Sequence, residues 1–149
     1  MSPSQRRAIV QFMEAIARLR DEGIVRSHRY LGDLGEFLCA DAFGIDLARN
    51  LRQVGHDGQR EDLRAQIKYH GGKTTTVNLG DPDRYDEVFV VLGPDSVLRP
   101  DGHPEEFLVY LLTAAEVRAF ESENGNYFCT ERRLPRRPTR CMGLTGIGA

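Results

Sequence analysis

Residues 63–70, LRAQIKYH, constrain the fold of this chain most, because apolar and polar side chains alternate there without exception. Leu63, Ala65, Ile67 and Tyr69 fall on one face, and Arg64, Gln66, Lys68 and His70 on the other, which is the period of a half-polar strand and not of a helix. On periodicity alone the polar face belongs in water, as in many antiparallel sheets. Further extended segments at about 46–54, 61–70, 87–93 (EVFVVLG) and 106–112 (EFLVYLL) place a sheet in the middle of the chain. Helical signals lie on both sides of it. Ser2 and Gln5 form a capping-box pair with Pro3 in the first turn, and Ile9, Phe12, Met13, Ile16 and Ala17 follow at helical spacing as a stripe expected to be buried. YLGDLGEFLCADAFG predicts a second helix of about a dozen residues ended by Gly44. Thr113 and Glu116 repeat the capping box before a last helix over Val117 and Phe120.

These elements predict an α/β domain, and 149 residues are enough for one such core and too few for two. The domain is expected over 1–122, with 123–149 an irregular tail rich in Arg and Gly. A net charge of -2 from balanced acidic and basic residues carries no global signal for nucleic acid, membrane or acidic ligands, so any such signal must be local. No apolar run reaches membrane-spanning length and the basic N-terminus has no signal-like core, so a cytoplasmic protein without a membrane partner is expected. Cys39, Cys129 and Cys141 are odd in number and widely spaced, which argues for ordinary thiols.

The segment GHDG brings chemistry to the sheet. Its glycines permit sharp turns, and a return of nine residues suits a hairpin that sets Asp57 beside Gln66. A carboxylate, an amide oxygen and an ammonium then converge. Asp57, the side-chain oxygen of Gln66 and the backbone carbonyl of Ile67 suit a hard divalent cation, and Lys68, two residues along the same face, suits orientation of an attacking water or neutralisation of developing charge. Glu36 on the second helix has small residues at i-4 and i+4 and no basic partner at either, so it is a fourth candidate beside the alternative of an exposed charge.

A helix bearing GE, then GHDG, then QIK on a strand followed by a hydrophobic strand resembles the PD-(D/E)xK nuclease superfamily, in the D…QxK form of Mrr-type restriction enzymes and small stand-alone members. The resemblance spans about Gly32 to Leu112. It implies a restriction-endonuclease-like fold, with a central mixed sheet flanked by helices, and cleavage of nucleic acid dependent on Mg²⁺, for which Mn²⁺ substitutes. By motif position it implies Asp57 as metal-binding acid, Gln66 as second ligand, Lys68 as catalytic lysine and Glu36 as the helix-borne acid, with Ile67 contributing its carbonyl. Double-stranded DNA is the expected partner, in a homodimer or with a partner subunit, and restriction, phage defence, repair or a mobile element is the expected setting. Two departures stand out. Gln66 replaces the more usual second acid, which removes one negative charge from the metal, and no proline precedes Asp57. They keep open a catalytically inactive nucleic-acid-binding or assembly module on the same fold.

Weaker signals surround this set. His56 and His70 flank it in sequence, and His70 shares the face of Lys68, so a phosphate contact and a solvated strand end are both open to it. GGKTTTVNLG lacks P-loop spacing, leaving Lys73 as a possible backbone-phosphate contact. RRLPRRPTR, with Arg132, Arg133, Arg136 and Arg137 ahead of Arg140, suits either phosphate contact or solubility. His28 and His103 have no partner at ligand spacing.

Overall fold

The protein is described by a computed structural model over residues 1–50, 55–103 and 105–143. Part of the extended segment expected at 46–54, and the glycine-punctuated end beyond Gly143, lie outside the described residues. The elements are helix α1 (Pro3–Asp21), helix α2 (Tyr30–Phe43), strands β1 (Asp46–Leu47), β2 (Gly58–Arg60), β3 (Leu63–His70), β4 (Val77–Asn78), β5 (Glu87–Leu92) and β6 (Glu106–Thr113), helix α3 (Ala114–Arg118), and strands β7 (Phe128–Cys129) and β8 (Arg140–Gly143). This is an α/β arrangement built on a mixed six-stranded sheet of order β1-β2-β3-β5-β6-β8, with β4 and β7 forming a second, two-stranded sheet. Among the described residues, only the β3–β5 pair is parallel within the large sheet.

Local chemistry sets the helix ends as expected. The Ser2 and Thr113 hydroxyls accept from the backbone N–H groups of Gln5 and Glu116, and each N3 side chain accepts from the cap residue's own N–H. Gly44 closes α2 in the left-handed region, where a side chain would be strained. At the centre, β5 is buried along its whole length because it is covered on both faces. Val88, Val90 and Leu92 join Leu79, Tyr85, Leu108 and Val117 on one side, while Phe89 and Val91 meet Leu38, Cys39, Ala65 and Ile67 under α2 on the other.

Three sequence expectations need correction. The polar face of β3 is only partly in water: Gln66 and His70 are buried, His70 against Thr74 in the connection to the parallel neighbour β5, while Arg64 and Lys68 stay partly exposed. In α1 only Ile16 of the expected stripe is buried, whereas Ile9, Phe12 and Met13 are about half exposed, so this helix does not lay its apolar stripe on the core. Its packing is limited: Ile16 is buried, and Phe12 meets the Tyr30 ring at the start of α2 edge-on at 5.8 Å between centroids. Finally, the segment after Glu123 is not wholly irregular. It forms β7, a 3-10 turn at Glu131–Arg133 and β8, which pairs with β6 from Glu106↔Gly143 to Val109↔Arg140.

Candidate functional site

The site begins just before β2. Alternate residues of β3 direct their backbone polar groups to opposite neighbours: Arg64 faces the β5 side, where its carbonyl accepts from Asp86, and Ala65 faces β2, where its carbonyl accepts from the Asp57 N–H. Ile67 again faces the β2 side, but Gly58 is the last residue of β2 to pair there, opposite Ala65. Asp57 fills the gap. Its Oδ2 accepts from the Ile67 N–H at 2.7 Å and from Gln66 Nε2 at 2.7 Å. The hairpin therefore joins Asp57 to Gln66 as the spacing predicts. Gln66 presents its amide nitrogen to Asp57, so coordination of a cation through its oxygen requires the amide to turn over.

Gly58 is required for this geometry. A Cβ there would lie 2.5 Å from the Asp46 carbonyl oxygen, so β1 can approach closely and hold Asp57 through the Ala48 N–H, which donates to the Asp57 carbonyl at 2.8 Å. On the opposite wall α2 carries Glu36, which is buried and lines one cleft with Asp57, Arg26, Arg29, Ala48, Asn50 and His56. Burial raises the Glu36 carboxyl above its usual range, and the Asp57 charge raises it further, against the lowering effect of Arg26. Burial also raises Asp57, while the Ile67 N–H, Lys68, Arg29 and His56 pull it down. Two desolvated carboxylates that disfavour each other's charge make a site suited to a cation.

Lys68 is half-buried on β3, and its ammonium acts on Asp57 through charge. Among the described residues no hydrogen bond or ion pair engages it, which leaves its donors for a ligand. Glu36 and Asp57 thus share one cleft, Gln66 is bonded to Asp57, and Lys68 is near enough to act on Asp57 through its charge.

The residue that sequence reasoning missed is Arg26. Its Nη2 is 2.8 Å from Glu36 Oε2 and its Nη1 donates to the Ala48 carbonyl at 3.2 Å, bridging the cleft walls. Asp33 Oδ2 accepts from the backbone N–H groups of Arg26 and Ser27, which holds the loop in place. Glu36 therefore does have a basic partner, ten residues earlier and outside its helix, where no helical spacing reveals it. Cys39, also close enough to feel Asp57, has a thiol pushed up to about 12 by burial first, so it stays protonated and is no nucleophile.

The outlying candidates separate. His70 is buried with Nδ1 on Ser96 Oγ at 2.7 Å and Nε2 on Thr74 Oγ1 at 2.8 Å, so both ring nitrogens are engaged within the protein, not with phosphate. Lys73 is exposed. Arg132 lines a shallow cleft with Thr75, close to the Lys73 loop. Arg133 is committed to structure: it donates to the Phe128 carbonyl at 2.7 Å and lies over the Phe120 ring. Arg140 similarly donates to the Ala42 carbonyl and covers Phe43. Arg136 and Arg137 are exposed.

The chain matches no protein-family model and no curated protein sequence. No described helix is long and apolar enough to cross a membrane.

Proposed function

We propose that the Asp57 cleft is the centre of a metal-dependent nuclease on a restriction-endonuclease-like fold, hydrolysing phosphodiester bonds of nucleic acid, with DNA the expected substrate. One observation carries the reading: the Asp57 carboxylate, just ahead of β2, is bonded to Gln66 and to the Ile67 N–H and shares a cleft with the buried carboxylate of Glu36. Mg²⁺, with Mn²⁺ as a substitute, fits the donor set. Asp57 Oδ1, Glu36 Oε1 and the Ile67 carbonyl are hard oxygen donors, and burial raises the pKa of both acids, so a cation that lowered them would be favoured there. When bound, the cation supplies charge that draws in a phosphate oxygen and acidifies water.

The chain's own groups carry the remaining work. Lys68 donates to the attacking water or to a non-bridging phosphate oxygen as charge builds on phosphorus. Arg26 and Arg29 line the same cleft and neutralise neighbouring phosphates. Hydrolysis adds water oxygen to phosphorus, breaks the bond to the leaving oxygen and leaves the water proton on that oxygen. One such site cuts one strand, so duplex cleavage assigns the protein to a homodimer or to a complex with a partner subunit.

A non-catalytic nucleic-acid-binding module is the second reading, and it is favoured by the Arg26 guanidinium on Glu36 and by the Gln66 amide nitrogen on Asp57. Full-length protein incubated with supercoiled, linear, methylated and single-stranded DNA and with RNA, in Mg²⁺ and in Mn²⁺, separates the two. Cleavage abolished by a chelator supports the nuclease. Binding without cleavage favours the module, and neither binding nor cleavage removes both.

A further inference from the structure

At the opposite edge of the large sheet, where β8 closes on β6, three side chains of unlike chemistry meet. His103 lies in the loop before β6, Glu106 is the first residue of that strand, and Cys141 belongs to β8. The antiparallel register sets Glu106 opposite Gly143 and Leu108 opposite Cys141, so Glu106 and Cys141 are diagonal neighbours on one face. His103 Nδ1 is 2.7 Å from Glu106 Oε2 and 4.0 Å from Cys141 Sγ, and the three ligand atoms lie within 4.8 Å of one another. Tetrahedral zinc holds nitrogen and oxygen at about 2.0–2.2 Å and sulfur at about 2.3 Å, which sets ligand atoms roughly 3.3–3.7 Å apart. Small side-chain rotations connect the two arrangements.

The backbone segments that carry these ligands are fastened independently of any metal. Arg99 ties the loop, since Nη1 donates to the Leu92 and Gly93 carbonyls and Nη2 to the His103 carbonyl. The β6–β8 ladder holds Glu106 and Cys141. Cys39 and Cys129 are buried, whereas Cys141 is exposed and open to solvent-borne ions. Imidazole, thiolate and carboxylate together select a borderline-soft dication and offer little to Mg²⁺.

We propose that His103, Glu106 and Cys141 form a binding site for zinc or a chemically similar dication, with water in the fourth position, and that the metal pins edge strand β8 to β6. On binding, the Cys141 thiol proton passes to solvent, and the His103 lone pair at Nδ1 goes to the metal with the imidazole proton on Nε2. The hydrogen bond between His103 and Glu106 is replaced by two metal–ligand bonds, and no oxidation state changes. The site does not depend on the nuclease reading and lies apart from the Asp57 cleft.

Titration of the metal-free full chain with Co²⁺ tests the proposal, because a thiolate ligand produces a charge-transfer absorption that carboxylate and imidazole sites lack. The expected result is that band at one equivalent of Co²⁺, abolished in Cys141→Ser, weakened about tenfold or more in affinity in His103→Gln and Glu106→Gln, and unchanged in Asp57→Ala. Zn²⁺ should erase it, excess Mg²⁺ should not, and Zn²⁺ should raise the melting temperature of wild type and of Asp57→Ala but not that of Cys141→Ser. Absence of the band in wild type overturns the proposal. So does a band that keeps its affinity in both His103→Gln and Glu106→Gln, or one that survives Cys141→Ser and so belongs to another cysteine.

Discussion

Arg26→Gln is the perturbation whose consequences the cleft specifies most fully. The substitution keeps the backbone N–H that Asp33 holds and removes the guanidinium that pairs with Glu36 at 2.8 Å. Deleting one partner of a fully buried ion pair costs about 3–5 kcal/mol, and an exposed pair contributes about 0–1 kcal/mol. Here the Glu36 side chain is 11% exposed and that of Arg26 29%, so the intermediate figure is about 1–3 kcal/mol at neutral pH. For a chain of this size that is a fall of roughly 2–12 °C in melting temperature. The loss should depend on pH with a definite sign. The Glu36 pKa is already raised above 4.5 in the folded protein, and without Arg26 it rises further, so below 4.5 the carboxyl is protonated in both proteins and the difference shrinks to a lost hydrogen bond. As pH rises through the two folded pKa values the difference opens again. Mn²⁺ should offset it, because Glu36 is released toward the cation. Thermal melts of both proteins at pH 4.5 and pH 7, with and without Mn²⁺, provide the assay. A loss equal at the two pH values and indifferent to Mn²⁺ would show that Arg26 merely ties α2 to Ala48, and would refute the reasoning.

Other predictions concern the carboxylates, the hairpin and the tail. In the metal-free wild type, the raised pKa values of Glu36 and Asp57 give stability that is full below their unfolded values and declines as pH rises through their folded values; Asp86, lowered first by its hydrogen bond from Arg64, contributes the opposite dependence as pH falls below 3.8. Melts of Glu36→Gln should therefore flatten the neutral side of the profile and leave the acid side unchanged. Gly58→Ala drives a Cβ against the Asp46 carbonyl and should cost on the order of 1–3 kcal/mol in denaturant unfolding while displacing Asp57, whereas a neutral result would mean that β1 yields freely. Arg136→Ala with Arg137→Ala should lower the salt dependence of nucleic-acid binding without affecting the melt, while Arg133→Ala, which loses its bonds to Phe120 and Phe128, should lower the melting temperature.

The parts of this protein legible in its sequence are those governed by neighbours in the chain. Capping boxes at Ser2 and Thr113, the glycine stop at Gly44, and the extended backbone of β3 are all set within a few residues, and each recurs in the structure, although burial along β3 does not follow the alternation of its side chains. The Asp57–Gln66 contact was legible for the same reason, being the product of one tight hairpin. What escaped depends on partners far along the chain. RCMG in β8 has no strand pattern and is extended because β6 offers a free edge. The polar face of β3 reads as solvated because nothing local shows that the crossover to β5 will cover His70. Arg26 carries no periodic signal at all, and its role follows only from the docking of α2 beside β1.

The central claim is that Lys68 acts chemically beside an Asp57-centred cation site, and single-turnover cleavage by Lys68→Ala tests it most directly. The lysine stem lies half-buried on β3 and its ammonium has no hydrogen-bonding partner among the described residues, so the variant should fold and keep its affinity for nucleic acid and for Mn²⁺. Cleavage should fall on the order of a hundredfold or more relative to wild type in the same metal. Equal cleavage by both proteins, or a wild type that binds nucleic acid and cuts none in either Mg²⁺ or Mn²⁺, would contradict the account.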